Sequence, residues 1–580
     1  MLFHKERKAL SGISVFVITA GLFCLALSVT AQESLAPLNP AFLEYLQELQ
    51  IPKVQGLVAD RHPLGFIPPP LDLSHLTGQP IFQAQGLLAA PLSYDLRTQG
   101  KVTPVRDQKN CGSCWAFAVY GSLESNLLPA ETWDFSENNL KNTHGFDIGH
   151  CEGGNGDMST AYLARWSGPV SEADDPYDPL LDISPPGLTL RKLVREVLIT
   201  PDRADSSDNE NIKQAIMTYG ALMTSMHFDN GYYDPNNNTY YYSGSNIPNH
   251  GVAIVGWDDN FDKNKFPSVP PGNGAFIIKN SWGTGWGKNG YFYISYYDSQ
   301  IGKSNYMFNG AEPTTYYNRI YQYDPLGWVS SLSYTGGNTD WFANIFTASA
   351  SEGLVAVSFY TASPNSLYEL YIYTAVTSGP TTGSLAGSQT GTIASAGYHT
   401  ISLNPSVPLI SGQKFSVVVK LTTPGFNYPV PVEEPIANYS SQATANPGES
   451  YVSSDGSIWS DLTSFSWCAE CNVCLKAFTS SSGAPVANND STIWKRFRRF
   501  IAVLANDYDP DGTLNLSSVA IVTSPGFGTA TPLTTGRRRR IGRVVYWPNA
   551  GFHGVDTFTY TVADNNGNIS NVATVTVIVP

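Results

Sequence analysis

Gln108-Lys109-Asn110-Cys111-Gly112-Ser113-Cys114-Trp115-Ala116-Phe117 is the stretch on which the reading of this chain turns. A glycine and a small residue precede Cys114 and suit a tight loop. After it, Trp115, Ala116, Phe117, Val119, Leu123 and Leu127 recur at helical spacing until the breaker Pro129. A thiol on the first turn of a buried helix lies in the field of unpaired backbone N–H groups, which favours thiolate over thiol and so favours a nucleophile. A lone buried cysteine is otherwise a small apolar side chain. The nucleophile reading therefore needs a base elsewhere in the chain.

Two downstream segments supply candidates. His250 opens His250-Gly251-Val252-Ala253-Ile254-Val255-Gly256-Trp257, an apolar run of strand length, and Asn280 closes Phe276-Ile277-Ile278-Lys279-Asn280 and begins Asn280-Ser281-Trp282-Gly283-Thr284-Gly285-Trp286-Gly287. Cys-Gly-Ser-Cys-Trp followed by Ala-Phe, then a histidine and an asparagine roughly 130–150 residues further on, resembles the papain-like cysteine peptidases. That family's mature start is matched by Pro91-Leu92-Ser93-Tyr94-Asp95-Leu96-Arg97, and its glycine strip beside the groove by Cys151-Glu152-Gly153-Gly154. The strand at Tyr291-Phe292-Tyr293-Ile294-Ser295-Tyr296 is expected to complete its sheet.

The resemblance implies roles. Cys114 is the nucleophile, and His250 forms an imidazolium–thiolate pair with it and later protonates the leaving amine. Asn280 holds the imidazole in the productive tautomer, with Trp282 shielding that bond from water. Gln108, six residues before Cys114, joins the Cys114 backbone N–H as an oxyanion donor. Gly153 and Gly154 pair with an extended substrate. Cys111 is implied to bridge Cys151, a closure worth about 4 kcal/mol in the chain-entropy model. Cys114 is then left free. The nine histidines contain no His-x-x-x-His ligand pair, which disfavours a zinc peptidase. No cofactor is required.

At 580 residues the chain exceeds one core and suggests several domains. Charged residues are only 14%, against abundant Gly, Pro and aromatics, which favours β-rich extracellular modules over a helical cytosolic enzyme. The net charge of −14 argues against general nucleic-acid binding. Residues 1–31 combine a basic start, an apolar stretch from Ile13 to Val29 and a small-residue end at Ala31, which reads as a secretory signal cleaved there. The rival is an uncleaved anchor helix. No later segment is long and apolar enough to span a bilayer. Residues 32–90 read as a propeptide, with a short helix capped by Asn39, opened by Pro40 and carrying Phe42, Leu46 and Leu49 on one face. An extended stretch, Gly65-Phe66-Ile67-Pro68-Pro69-Pro70-Leu71-Asp72-Leu73, then suits a path through the groove. A plain linker is the alternative.

The expected architecture is α+β over residues 91–310, a papain-like fold of two subdomains with a helical half and a β-barrel-like half, followed by two all-β sandwiches. Residues 316–480 alternate apolar and polar, as in Phe415, Val417, Val419 and Leu421 or Val355, Val357 and Phe359. Tyr321-Gln322-Tyr323-Asp324, Trp341-Phe342-Ala343-Asn344, Gly397-Tyr398-His399-Thr400 and Cys474-Leu475-Lys476-Ala477-Phe478 resemble the lectin-like domain that follows papain-like domains in some prokaryotic surface proteins. Cys468, Cys471 and Cys474 are more readily one local disulfide with a leftover thiol than a metal site.

Residues 484–580 resemble bacterial cadherin-like, immunoglobulin-type repeats at Leu504-Ala505-Asn506-Asp507-Tyr508-Asp509-Pro510-Asp511-Gly512 and at Asp556-Thr557-Phe558-Thr559-Tyr560. Asp507, Asp509 and Asp511 are either calcium ligands or solvated turn acids. Ala573, Val575, Val577 and Val579 alternate as a sandwich edge does. Basic runs at 494–499 and 537–540 give this module a net +3 against −17 for the rest, which reads as solvated loops or a surface for an anionic envelope.

The function expected is a secreted or extracellular cysteine endopeptidase, soluble or cell-surface associated, acting on polypeptides. Its C-terminal domains would meet carbohydrate or the cell envelope. The rivals are a catalytically inactive adhesion or binding protein and a peptidyl transferase using the same thiol.

Overall fold

The computed structural model describes residues 34–49, 62–80, 89–480, 485–495, 500–509, 513–535, 541–565 and 568–580. The signal stretch, both basic runs in large part and Asp511 lie outside the described residues.

The helix Cys114–Leu127 forms as its spacing predicts, and every residue but Asn126 is buried. It can be buried all round because Ala116, Ala118, Gly121, Ser122 and Ser125 leave room for neighbours between its large side chains. The helices Glu137–Thr143 and Gly156–Ala164 flank it, each capped by a side chain accepting from its first turn, Ser136 from the Asn139 N–H and Asn155 from the Met158 N–H.

Against this helical half lies an antiparallel sheet. Its lateral order is Leu193–Thr200, Lys303–Glu312, Leu222–Met226, His250–Asp258, Ala275–Lys279 and Tyr291–Ser295. Tyr291–Ser295 does not complete the sheet, because Thr239–Tyr240 adds beyond it in parallel. At the opposite edge the sheet runs on into the next domain. Leu193–Thr200 pairs with Ala396–Pro408, bringing Gly397 against Leu198 and His399 against Glu196. One 13-stranded sheet thus runs through both domains, taking Arg319–Tyr321, Gly353–Thr361, Ala396–Pro408 and Leu475–Ser480 from the second.

Gly397 is what lets the two backbones close. Its φ is +126°, and a Cβ there would sit 2.1 Å from the Val197 carbonyl oxygen. Gly397→Ala is expected to cost the full chain about 2–4 kcal/mol, read as a lower urea midpoint of tryptophan fluorescence. An unchanged midpoint would contradict this account of the seam.

Residues 316–480 fold as a sandwich. Phe415, Val417, Val419 and Leu421 all point into its core, as their alternation predicts. Val355 does not join Val357 and Phe359 there, because the register shifts between Leu354 and Ala356 and Leu354 takes the inward place. Cys468 and Cys471 are bridged, and Cys474 is free and buried.

The last module is a second sandwich. Its strand Ala573–Val579 is an interior strand rather than an edge, because Asp490–Ile493 pairs with it in parallel on one side and Gly554–Thr561 in antiparallel on the other. Asp507 accepts from the Asn488 N–H at 2.7 Å and from the Tyr560 hydroxyl at 2.7 Å. Among the described residues no group of three or more His, Cys, Asp or Glu is placed to hold a metal. No described helix is long and apolar enough to cross a membrane.

Candidate active site

The site lies where the helical half meets the sheet. Cys114 is the first residue of its helix and is wholly buried. The sheet delivers His250 as the first residue of one strand, and Asn280 directly follows the neighbouring strand Ala275–Lys279. His250 Nε2 lies 2.8 Å from Asn280 Oδ1, and the Gly251 N–H donates to Cys114 Sγ at 3.3 Å. The imidazole stacks on Trp282 at 4.8 Å between centroids, and Phe228 meets it edge-on at 6.1 Å. The Asn280–His250 bond therefore sits under aromatic cover, which excludes competing water. His250 Nδ1 is buried with no hydrogen-bond partner among the described residues, leaving it as the nitrogen available to the thiol.

Gln108 is oriented from its oxygen side. Its Oε1 accepts from Ser281 Oγ at 2.7 Å and from Trp282 Nε1 at 3.0 Å, so the amide nitrogen must face the cleft. That nitrogen donates to the carbonyls of Pro63 and Cys111, each at 2.8 Å. Ser281 and Tyr177 are participants that the sequence reading missed. The Tyr177 hydroxyl donates to the Gln108 carbonyl at 2.8 Å and shares a hydrogen bond with Ser113 Oγ at 2.7 Å, bracing the loop before the thiol. Ser281 was recoverable from its place between Asn280 and Trp282, whereas Tyr177 carried no local signal. Cys111 and Cys151 are disulfide-bonded with Cα atoms 4.7 Å apart, and the Gly112 N–H donates to the Cys151 carbonyl at 3.1 Å beside the cleft.

The cleft is occupied by the chain's own residues 62–67. Gly154 pairs with Phe66 in parallel, its N–H donating to the Gly65 carbonyl and its carbonyl accepting from the Ile67 N–H, both at 3.0 Å. Gly65 crosses so close over Gly112 that a Cβ would lie 1.8 Å from the Gly112 oxygen, so only glycine passes. His62 stacks on Trp282 at 5.4 Å and pairs with Asp107 at 3.1 Å.

This plug reverses one expectation. The Cys114 thiol is pushed up to about 11 rather than down, because burial outweighs the N–H groups of Gly251, Gly65 and Trp115 that favour the thiolate. Burial likewise pushes His250 down to about 4, against the hydrogen bond that its ring donates to Asn280 Oδ1. Thiol and imidazole are both neutral at pH 7 in this closed form.

A helix-borne thiol, a strand-borne imidazole held by an asparagine, and a groove along a glycine pair are the arrangement of a cysteine peptidase domain. Residues 90–309 match the family model described as papain family cysteine protease. Residues 320–479 match the lectin like domain and residues 482–578 the bacterial Ig domain. Procathepsin L of Mus musculus is 31% identical over 229 residues, covering 37% of this chain and 63% of the relative. Cysteine proteinase 1 of Entamoeba histolytica is 30% identical, covering 35% and 63%. The chain thus spans less than two thirds of the length of these curated relatives. The cysteine protease and lectin-like domains of Cwp84, a surface layer associated protein of Clostridium difficile, superpose with a TM-score of 0.65 at 27% identity, covering 78% of this chain and 98% of that one. The clostridial protease after propeptide cleavage superposes with a TM-score of 0.60 at 28% identity, covering 67% and 99%.

Proposed function

We propose that the chain is an exported, surface-held endopeptidase that is latent until residues 62–67 leave its cleft, and that then hydrolyses peptide bonds in extended segments of polypeptides. The observation that carries this reading is the Pro63 carbonyl on Gln108 Nε2 at 2.8 Å, a peptide carbonyl already seated on the oxyanion donor. In the open form Cys114 Sγ attacks the scissile carbonyl carbon, and the oxyanion takes hydrogen bonds from Gln108 Nε2 and the Cys114 N–H. His250 gives its proton to the departing amine, then takes one from the water that cleaves the thioester. Asn280 keeps the ring in place throughout. Gly153 and Gly154 favour substrates that are unfolded or looped, because the pairing is through backbone.

The test is cleavage of a denatured polypeptide by the processed chain, with products analysed with and without added amine. Free carboxyl termini in both support hydrolysis, whereas amine-capped products as the main species would make the protein a transferase. Gln108→Ala is expected to lower kcat about 100-fold with KM little changed, since its donor acts mainly in the transition state. A change confined to KM would contradict the oxyanion role.

A further inference from the structure

The segment that fills the cleft is also fastened well away from it, on the lectin-like domain. Ser34–Leu35 adds as a strand to the edge of Ser330–Ser333, and the Ala36 N–H donates to the Ser331 carbonyl at 2.7 Å. The helix Pro40–Glu48 then drives Phe42, wholly buried, edge-on against Tyr439 at 5.1 Å. Further along, His75 Nε2 lies 2.9 Å from the Ala362 carbonyl and its ring stacks on Phe426 at 4.6 Å. Phe42, Leu71 and Leu76 share one buried cluster with Val329, Ala362 and Tyr439.

At the cleft end Phe66 and Ile67 are buried too, but the contacts to Gly154 and Asn249 are through backbone, with a glycine at the closest approach. A cleft that must release peptides to turn over gains nothing from holding one tightly by contacts common to every peptide. Strand addition with side-chain anchors carries no such constraint.

We propose that the lectin-like domain bears a peptide-binding surface, made by the edge of Ser330–Ser333 together with Phe426 and Tyr439. Its occupant is residues 34–49 and 71–76 of this chain, and this surface sets how firmly the enzyme stays shut. A cut between the pro-segment and the mature chain then does not by itself open the cleft, because the anchored part keeps residues 62–67 at high effective concentration over Cys114. The consequence for activity rests on the peptidase reading, whereas the binding surface does not.

The test uses the processed full-length chain carrying Cys114→Ala and a fluorescent synthetic peptide of residues 32–89, with binding read by anisotropy. Phe42→Ala in the peptide is expected to weaken binding about 100-fold or more. Ala36→Pro, which removes the donor to Ser331, is expected to weaken it about fivefold. Phe426→Ala in the protein is expected to weaken binding about tenfold while, with Cys114 present, leaving cleavage of a short substrate unchanged. Binding within about twofold of the parent pair for both Phe42→Ala and Phe426→Ala would overturn the proposal, as would a peptide of residues 62–70 binding as tightly as the whole. If these affinity differences appear but the processed Cys114 chain cuts nothing, the surface stands and the peptidase reading fails.

Discussion

Cys114→Ala in the processed chain is expected to leave a denatured polypeptide uncut, with kcat/KM lower by about 10⁴-fold or more. The size of the effect follows from the absence of another thiol in the cleft among the described residues. Cys111 is tied to Cys151, and the other free cysteine among those residues, Cys474, is buried in the lectin-like domain. Truncating Sγ removes the atom that attacks while leaving the helix intact, since alanine is the better helix former. The variant therefore folds and still binds the pro-segment, and the loss is one of chemistry. Equal cleavage by Cys114→Ala and the parent chain would end the peptidase reading.

The second large effect is on latency. In the closed form His250 is held at about 4, below its ordinary 6.5, so the opened chain binds a proton between those values that the closed chain refuses. Closure is therefore fully favoured above pH 6.5 and is lost as the pH falls toward 4. Burial depresses His75 in the pro-segment too, which acts in the same sense. Hydrogen exchange of the Phe66 and Ile67 amides, bonded to the Asn249 and Gly154 carbonyls, reads this directly. In the intact Cys114→Ala chain their protection factors, corrected for intrinsic rate, are expected to fall about tenfold or more between about pH 7.5 and about pH 4.5. Protection independent of pH over that range would show that His250 does not govern opening.

Local features were legible where one segment carries the whole signal. The helix after Cys114 announced itself by apolar spacing and a glycine-led turn, and the strand after His250 by an unbroken apolar run. The pro-helix was marked by Asn39, whose side chain accepts from the Ala41 N–H as its position predicts. Features made by distant partners were not legible. Nothing near Gly397 shows that it closes a sheet between two domains, because the reason is a carbonyl at Val197. The strand Ala573–Val579 looked like an edge because its parallel neighbour, Asp490–Ile493, lies some eighty residues upstream. The thiol reversed its expected titration for the same cause. The helix N-terminus is visible beside Cys114, but the lid that dries it comes from residues 62–67.

The central claim is that Cys114 and His250 exchange a proton once the lid leaves. Alkylation of Cys114 by iodoacetamide, followed against pH in the intact and processed chains, tests it most directly. The account predicts almost no reaction near pH 7 in the intact chain, and in the processed chain fast reaction that persists into acid with an apparent pKa of about 3.5–7.5. A processed chain whose Cys114 reacts only as the pH rises through about 9, as an isolated thiol does, would contradict it.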